Sequence, residues 1–251
     1  MLRIEGLAKY FSGLKVLENV ELTVPEKTIF GLIGPNGAGK TTVFNLITGL
    51  LKPTRGEINF GNQALHTMEP YEITAAGIAR TFQNIRIFPE MDLLENVVVG
   101  MHRHLHYRPL DWLFRLPAYR QAEKQAKEKA FELLKWVDLD KKAAWAAGSL
   151  SYGEQRKLEL ARALATEPKL LLLDEPVAGM NHGETEELMP VIHAINQRGY
   201  GILLIEHDMK FVMGLCREVA VLNFGVLIAQ GEPEAIRHDP RVIEAYLGAE
   251  H

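Results

Sequence analysis

A glycine-rich segment, Gly34–Thr42, carries the clearest chemistry in the chain. Its sequence Gly-Pro-Asn-Gly-Ala-Gly-Lys-Thr-Thr fits the spacing G-x-x-x-x-G-K-[ST], with Lys40 and Thr41 in the fixed places. Glycines let the backbone approach phosphate oxygens, and the N–H groups of a helix start favour negative charge. The segment therefore predicts a phosphate-binding loop, with Lys40 on the β- and γ-phosphates of a nucleotide and the Thr41 hydroxyl on Mg²⁺.

Acidic and basic side chains follow two later apolar runs. Asp174 and Glu175 come directly after Leu170–Leu173, where a carboxylate can support Mg²⁺ through water and a second one can activate a water. An ordinary strand-to-loop transition is the alternative, but the phosphate-binding loop favours the catalytic interpretation. His207 follows the run Gly201–Ile205. A lone histidine is usually structural, but this one is placed to contact a γ-phosphate.

Two polar segments have both a plain and a functional interpretation. Gln83 follows a predicted strand, Ile78–Phe82, and is either a boundary residue or a ligand of Mg²⁺ or water. Ser151 and Glu154 have the spacing of a capping box, which starts a helix. Because Gly153 permits close approach, the same helix start could grip a phosphate, and spacing alone leaves both interpretations open.

Two aromatic residues, Tyr10 and Phe11, lie upstream of the phosphate-binding loop. Isolated aromatics are usually core or hairpin filler. Their position before the loop suggests instead that one of them stacks on a nucleobase.

The elements that must position these residues form an α/β pattern. The run Thr28–Ile33 before the glycine-rich loop predicts a buried strand, and Val43–Ile47 behind it has helical spacing. Continuous apolarity in the strands before Asp174 and Glu206 is typical of a parallel sheet buried on both faces. The other predicted elements are β-strands with turns in Leu2–Val24, helices at Ala118–Asp138, Thr185–Gln197 and Val242–Leu247, and a hairpin of Ala220–Gly225 with Val226–Gly231.

The stretch from Asn84 to Ser149 differs in character and reads as a mostly helical insert. Within it, His102, His104 and His106 stand at alternate positions. A metal cluster is one interpretation, but no cysteine or carboxylate pattern accompanies these residues, and a solvated loop is preferred.

Composition sets limits on the class of protein. The chain has 251 residues, 47% apolar, with a net charge of −4, so no global basic character favours nucleic acid. The single cysteine, Cys216, excludes an internal disulfide and fits a reducing compartment. No signal segment is evident at the start, and no apolar run approaches the roughly 18 residues needed to span a bilayer. We therefore expect any membrane role to depend on a partner.

Together the motifs identify a family. The phosphate-binding loop, Gln83, the signature Leu150-Ser-Tyr-Gly-Glu154, the run Leu170–Glu175, the loop Ala178–Asn181 and His207 occur in this order. Because it contains all of these motifs in this order, the chain resembles the ATP-binding subunit of an ABC (ATP-binding cassette) transporter over its whole length. The resemblance implies a phosphate-loop NTPase core with a mostly parallel sheet, an N-terminal antiparallel β part and a helical insert. One ABC ATPase domain would cover 1–251, with subregions 1–83 and 161–251 as the core and 84–160 as the helical subdomain.

The resemblance also implies roles for individual residues. Glu175 would be the catalytic base, His207 the switch residue and Lys40 a catalytic lysine. Phe11 rather than Tyr10 would stack on adenine, and Ser151 and Gly153 would contact the γ-phosphate held by another subunit. The implied Mg²⁺ ligands are Thr41, Gln83 and Asp174. The implied nucleotide-binding set is Phe11, Gly34, Pro35, Asn36, Gly37, Ala38, Gly39, Lys40, Thr41, Thr42, Gln83, Ser151, Gly153, Glu154 and Asp174.

Within the family, the chain is most similar to the branched-chain or hydrophobic amino-acid uptake group. The residues that carry this are Ala79–Ile85, the insert His102–Pro117, Leu204–Met209 and Ala245–Gly248. Three positions depart from the commonest pattern: Tyr152 replaces glycine, Glu154 replaces glutamine, and Asn181 replaces aspartate.

The expected ligands and partners follow from this resemblance. They are ATP or ADP with Mg²⁺, a second cassette in a homo- or heterodimer, and transmembrane permease subunits, with no nucleic acid. The chain would be cytoplasmic and bound peripherally to the inner face of the membrane. Two alternatives are the ATPase of a lipopolysaccharide-type exporter and a soluble, non-transport ABC protein.

Overall fold

The computed structural model describes residues 1–104 and 117–247 as two compact units. The first contains residues 1–80, 169–178 and 196–247. The second contains the described residues between 81 and 168, together with 179–195. The subregions predicted from the sequence, 1–83 with 161–251 and 84–160, stay a prediction.

All ten strands of the described residues lie in two sheets of the first unit. The larger sheet has the order β10-β9-β3-β8-β7-β6, and the smaller has the order β2-β1-β4-β5. The strands are β1 (Leu2–Phe11), β2 (Leu14–Val24), β3 (Ile29–Ile33), β4 (Arg55–Phe60), β5 (Gln63–Ala64), β6 (Ile78–Arg80), β7 (Leu170–Asp174), β8 (Gly201–Ile205), β9 (Glu218–Asn223) and β10 (Val226–Gly231).

The centre of the larger sheet is formed by the three apolar runs. Every residue of β3, β7 and β8 is buried, and β8 pairs in parallel with both neighbours. Continuous burial is what a strand covered on both faces requires, so the prediction of a parallel sheet is confirmed. The strand predicted at Ile78–Phe82 is shorter and ends at Arg80.

The smaller sheet is antiparallel and packs on the same core. Strands β1 and β2 form a hairpin through Ser12 and Gly13, both at positive φ, and β4 pairs with the other edge of β1. Buried side chains from this sheet, such as Leu7 and Leu17, join Phe30 of β3 in one cluster. The fold-class prediction, an α/β phosphate-loop core with an antiparallel N-terminal part, is confirmed.

The described residues also form nine α-helices. One short helix, Met209–Leu215, was not predicted from the sequence; it begins after Asp208, whose side chain accepts from the N–H of Phe211. The helices are α1 (Lys40–Ile47), α2 (Pro70–Ala76), α3 (Leu93–Gly100), α4 (Pro117–Trp136), α5 (Tyr152–Leu164), α6 (His182–Gln197), α7 (Met209–Leu215), α8 (Pro233–Arg237) and α9 (Pro240–Leu247).

The described part of the second unit is helical, with α3, α4, α5 and most of α6. Helix α5 starts at the capping box formed by Ser151 and Glu154, as predicted. The predicted start of α6 at Thr185 is three residues late. Asn181 and Glu184 exchange hydrogen bonds between side chain and backbone at 3.0 Å each way, which starts the helix at His182.

Two expectations concern the histidine-rich stretch and the membrane. The predicted insert His102–Pro117 lies mostly outside the described residues, His106 included, and so does the choice between metal cluster and loop. Among the residues that are described, no group of three metal-ligating side chains is found. Within the same residues, every helix is too short or too polar to cross a bilayer.

Candidate active site

The predicted chemistry of the first unit gathers at one edge of the larger sheet. Strand β8 lies between β3 and β7, and all three run in the same direction. Their carboxyl ends lead into the glycine-rich loop, the pair Asp174 and Glu175, and the pair Glu206 and His207. Because parallel strands end at a common edge, these residues lie at the same edge of the sheet, which is where ligands bind in open α/β folds.

The glycine-rich loop takes a conformation that only glycine fits at two points. A Cβ atom on Gly34, which has φ +150°, would lie 2.0 Å from the carbonyl oxygen of Leu222. On Gly39, with φ +103°, it would lie 2.7 Å from Leu17 Cδ2. Gly39 is also the N-cap of α1, where no side chain of the described residues caps the helix. The first-turn N–H groups of α1 therefore lack a side-chain partner, which suits a phosphate.

Lys40 is a buried cation at the centre of this edge. Its side chain is folded back over the loop, and Nζ donates to the carbonyl oxygens of Gly34 at 2.7 Å and Pro35 at 2.9 Å. Burial lowers the pKa of the Lys40 amine, while three surrounding carboxylates oppose that shift; they are Glu175, Asp174 and Glu206. The amine is thus held next to the acidic residues and can exchange its carbonyl contacts for phosphate oxygens.

Asp174 has a buried cationic partner that sequence reasoning missed. Arg80, the last residue of β6, donates from Nη2 to Asp174 Oδ2 at 2.6 Å, and both side chains are almost fully buried. Nη1 of the same guanidinium donates to Asn45 Oδ1 at 2.7 Å, on helix α1. Arg80 therefore joins the end of β7 to the helix behind the glycine-rich loop. From the sequence, Arg80 is recognised only as one residue of the segment Ala79–Ile85, with no role of its own.

We expect replacement of Arg80 to destabilise the first unit strongly. Arg80→Ala leaves Asp174 buried without its ion pair, and breaking such a pair costs about 3–5 kcal/mol. The free energy of unfolding in urea measures this. Arg241→Ala is the matched control, because Arg241 is 67% exposed where it pairs with Asp239, and exposed pairs contribute at most about 1 kcal/mol. Equal losses in both variants would contradict the structural role of Arg80.

Glu175 has an unusual backbone conformation. Its φ is +48°, a left-handed value that costs free energy in a non-glycine residue. The surrounding structure fixes it, since the N–H of Glu175 donates to the carbonyl oxygen of Ile205 at 3.0 Å and Ala178 donates back to the Glu175 carbonyl at 3.1 Å. The side chain stands at the boundary of the buried edge. Backbone strain held in this way is common at catalytic residues.

Glu206 is the second residue that the sequence analysis did not assign to the site. It follows β8 and is fully buried. Its carboxylate accepts from the backbone N–H of Val177 at 3.1 Å, His207 at 2.9 Å and Asp208 at 3.2 Å. His207 itself is exposed, with its Nδ1 atom 3.7 Å from Glu206 Oε2. The run Leu204–Met209 placed a polar strand end here, but nothing local indicated that the glutamate is buried.

The remaining predicted residues of the first unit lie on the glycine-rich loop and at the end of β1. Asn36, Gly37 and Thr41 are exposed on the glycine-rich loop and its helix, and Ala38 is buried. Phe11 ends β1 and is 41% exposed as a residue, and Lys9 Nζ lies 4.9 Å from its ring centre. An exposed ring is what stacking on a base requires, and the assignment of Phe11 to adenine stays a prediction.

The predicted signature residues lie in the second unit and show how a helix start receives an anion there. The backbone N–H of Gly153 donates to Glu184 Oε1 at 3.2 Å, and a Cβ on Gly153 would lie 3.0 Å from that oxygen. The Glu184 carboxylate therefore accepts from the same Gly153 N–H group that is predicted from the sequence to contact a γ-phosphate. Gln83 also belongs to this unit, where its carbonyl oxygen accepts from Arg156.

The departures from the commonest family pattern are accommodated locally in the second unit. Glu154 completes the capping box and also pairs with Lys142. Asn181 caps α6 with its side chain, as an aspartate would. The ring of Tyr152 covers Gly179, where an added Cβ would lie 3.4 Å away. None of the three substitutions interrupts the helix start that carries Ser151.

The charges of the first-unit edge can be matched to a nucleotide with a divalent cation. The carboxylates of Asp174, Glu175 and Glu206 surround Lys40, and Asp174 also pairs with Arg80. A triphosphate entering this edge needs further positive charge. The Thr41 hydroxyl and the Asp174 carboxylate are hard oxygen donors of the kind that Mg²⁺ prefers. The residues present therefore fit ATP together with Mg²⁺.

Comparison with known families agrees with the geometry. The pattern of the ABC transporter family matches residues 17–178, from the β1–β2 hairpin to the loop after Glu175. A second pattern, described as branched-chain amino acid ATP-binding cassette transporter, matches residues 226–251.

Curated relatives match along the whole chain. The high-affinity branched-chain amino acid transport ATP-binding protein BraF of Pseudomonas aeruginosa is 45% identical over 249 residues, covering 99% of this chain and 98% of the relative. LivG of Escherichia coli K12, with the same description, is also 45% identical with the same coverage. A probable LivG of Methanocaldococcus jannaschii is 35% identical over 252 residues, covering 99% of this chain and 97% of the relative.

Solved structures share the fold. The ADP conformation of an ATP-binding cassette of an ABC transporter superposes with a TM-score of 0.86 at 35% identity, covering 99% of this chain and 98% of that one. A dimeric post-hydrolysis cassette bound to ADP and Pi has a TM-score of 0.77 at 25% identity, covering 93% and 99%. The family prediction is confirmed: the chain belongs to the ABC transporter family, as one of its ATP-binding and ATP-hydrolysing cassettes.

Proposed function

We propose that this cassette powers an importer of branched-chain or other hydrophobic amino acids. The observation that carries the proposal is the 45% identity along 249 residues with relatives described as high-affinity branched-chain amino acid transport ATP-binding proteins. The match of residues 226–251 to the corresponding family pattern supports it independently of the phosphate-binding loop.

The proposed mechanism starts with ATP on the glycine-rich loop. Backbone N–H groups at the start of α1 bind phosphate oxygens, and Lys40 turns its amine from the carbonyls of Gly34 and Pro35 to the β- and γ-phosphates. Phe11 stacks on adenine.

Glu175 acts next, as the general base. Its carboxylate orients a water toward the γ-phosphate and takes a proton as the water attacks, while the bond between the γ-phosphorus and the β–γ bridging oxygen breaks and ADP leaves. Lys40 stabilises the charge that develops on the phosphate oxygens, and His207 contacts the γ-phosphate from the end of β8. Thr41 and Asp174 would hold Mg²⁺, which would supply positive charge to offset that of the phosphates, and Gln83 stays a ligand predicted from the sequence.

The working form we propose is a head-to-tail dimer of cassettes. The start of helix α5 in one subunit, with Ser151, Gly153 and Glu154, would face the γ-phosphate bound by another. The carboxylate of Glu184 on the Gly153 N–H supports this, because it marks that helix start as able to receive an anion. A site completed by two subunits links ATP binding to closure and hydrolysis to reopening.

The proposal includes permease partners and a place at the membrane. The cassette would be cytoplasmic and would bind the inner face through transmembrane permease subunits, since its described helices cannot cross a bilayer. A second cassette, identical or related, would complete the assembly.

A pull-down from native membranes tests these partners. Tagged Glu175→Gln protein is recovered in mild detergent with ATP and Mg²⁺, and tagged wild type without nucleotide is the control. We expect hydrophobic permease subunits and a second cassette chain, identified by mass spectrometry. Recovery of lipopolysaccharide-export components, or of ribosomes or DNA-repair proteins with no membrane protein, would contradict the importer.

A further inference from the structure

We infer that Glu206 is a positioning residue, which holds Glu175 and His207 in the relative positions that ATP hydrolysis requires. The inference rests on the proposed roles of those two residues. Glu206 needs no contact with nucleotide for this role, since it acts through the backbone on either side of the site. It lies at the end of β8, the strand that separates β7 from β3.

The hydrogen bonds of Glu206 reach two different loops. Oε1 accepts from the N–H of Val177, two residues after Glu175, at 3.1 Å. Oε2 accepts from the N–H of His207 at 2.9 Å and of Asp208 at 3.2 Å. One rigid carboxylate therefore ties the loop of the predicted base to the segment of the predicted switch residue.

The first of these loops needs such support. Glu175 stands at φ +48°, and a strained residue persists only where its surroundings over-determine it. The Glu175 N–H is bonded to the carbonyl of Ile205, the residue before Glu206. The end of β8 therefore holds the loop after β7 by two hydrogen bonds. One is accepted by the Ile205 carbonyl and the other by the Glu206 side chain.

The chemistry of the donors explains why a carboxylate is required. The three hydrogen bonds described above all come from backbone N–H groups, and both of its oxygens accept. A glutamine of the same shape would turn its NH₂ group, which can only donate, toward one of the two loops. The loop facing the NH₂ group would lose its hydrogen bond, because its backbone N–H would then meet another N–H donor. The other loop would keep its hydrogen bond to the amide oxygen and its position.

This leads to a test with matched variants in the full chain purified with its membrane partners. Glu206→Gln is compared with Glu218→Gln, which changes a glutamate of β9 that bonds Gln230 away from this loop pair. The measurements are ATP affinity, kcat of phosphate release and thermal unfolding. Displacement of a catalytic group by about 1 Å can cost about 100-fold in rate. We expect kcat of Glu206→Gln to fall by about that factor, with ATP affinity kept within about threefold.

The split between kcat and affinity decides the question. Turnover near wild type in Glu206→Gln would overturn the inference, and so would a parallel loss of kcat, affinity and melting temperature, which is the mark of general damage. If Glu206→Gln does not fold, Glu206→Asp, which keeps the charge and shortens the reach, must show the same split. Failure of both variants to fold would make Glu206 a folding residue and overturn the inference too. Normal turnover in Glu175→Gln would refute the proposed base itself, a separate result.

Discussion

Glu175→Gln should lower steady-state ATP hydrolysis by about 1,000-fold while leaving ATP bound. A positioned general base contributes about 10²–10⁴-fold to rate, and glutamine keeps the size of the side chain but cannot take a proton. The backbone at φ +48° and its bond to Ile205 are independent of the side chain, so the loop should keep its conformation. Phosphate release and the nucleotide retained after rapid desalting measure the two effects.

Accumulation of ATP-bound dimer is the second part of this expectation. If hydrolysis reopens the dimer, a variant that binds ATP without cleaving it should stay closed. Glu57→Gln, at an exposed position of the smaller sheet, is the matched control and should behave as wild type. Ordinary turnover in Glu175→Gln would remove this residue from the role of base.

Lys40→Ala should strongly weaken ATP binding, and not only slow ATP hydrolysis. Each charge-assisted hydrogen bond to phosphate is worth about 1.5–3 kcal/mol, so loss of the amine should weaken ATP binding by about 100-fold. The variant also leaves the carbonyls of Gly34 and Pro35 without their donor and the carboxylates of the edge without their central cation.

Equilibrium binding of a fluorescent ATP analogue, in Mg²⁺ and in chelator, measures this loss. Lys124→Ala is the control, because Lys124 is exposed on α4 and pairs only loosely, at 3.8 Å, with Glu128. Binding by Lys40→Ala with wild-type affinity would mean that the amine serves the loop's own structure and not the phosphates.

Local patterns predicted the parts of the fold that depend on neighbours in sequence. The glycine-rich loop, the apolar strands and the capping box at Ser151 are each recognisable within about ten residues, because backbone conformation and burial on both faces leave direct traces in residue type. The capping box at Asn181 was present in the sequence as well. The apolar spacing of this helix begins later, so spacing alone does not predict a start at His182.

Long-range pairing could not be predicted in this way. Arg80 and Asp174 are 94 residues apart, and Glu206 and Val177 are 29 apart. Both contacts exist because β8 inserts between β3 and β7 and because β6 lies on the far side of β7. Strand order is a property of the whole sheet, so a buried glutamate after β8 looks the same in sequence as an exposed one.

The most direct test of the central claim is amino-acid uptake in cells that lack the chromosomal copy of this chain. Wild type and Glu175→Gln are restored at equal abundance, and entry of labelled leucine, isoleucine and valine is measured against a labelled sugar. The account predicts that deletion lowers uptake of the branched-chain amino acids, that wild type restores it and that Glu175→Gln does not, with the sugar unaffected. Uptake that survives deletion, or that Glu175→Gln restores in full, would contradict it.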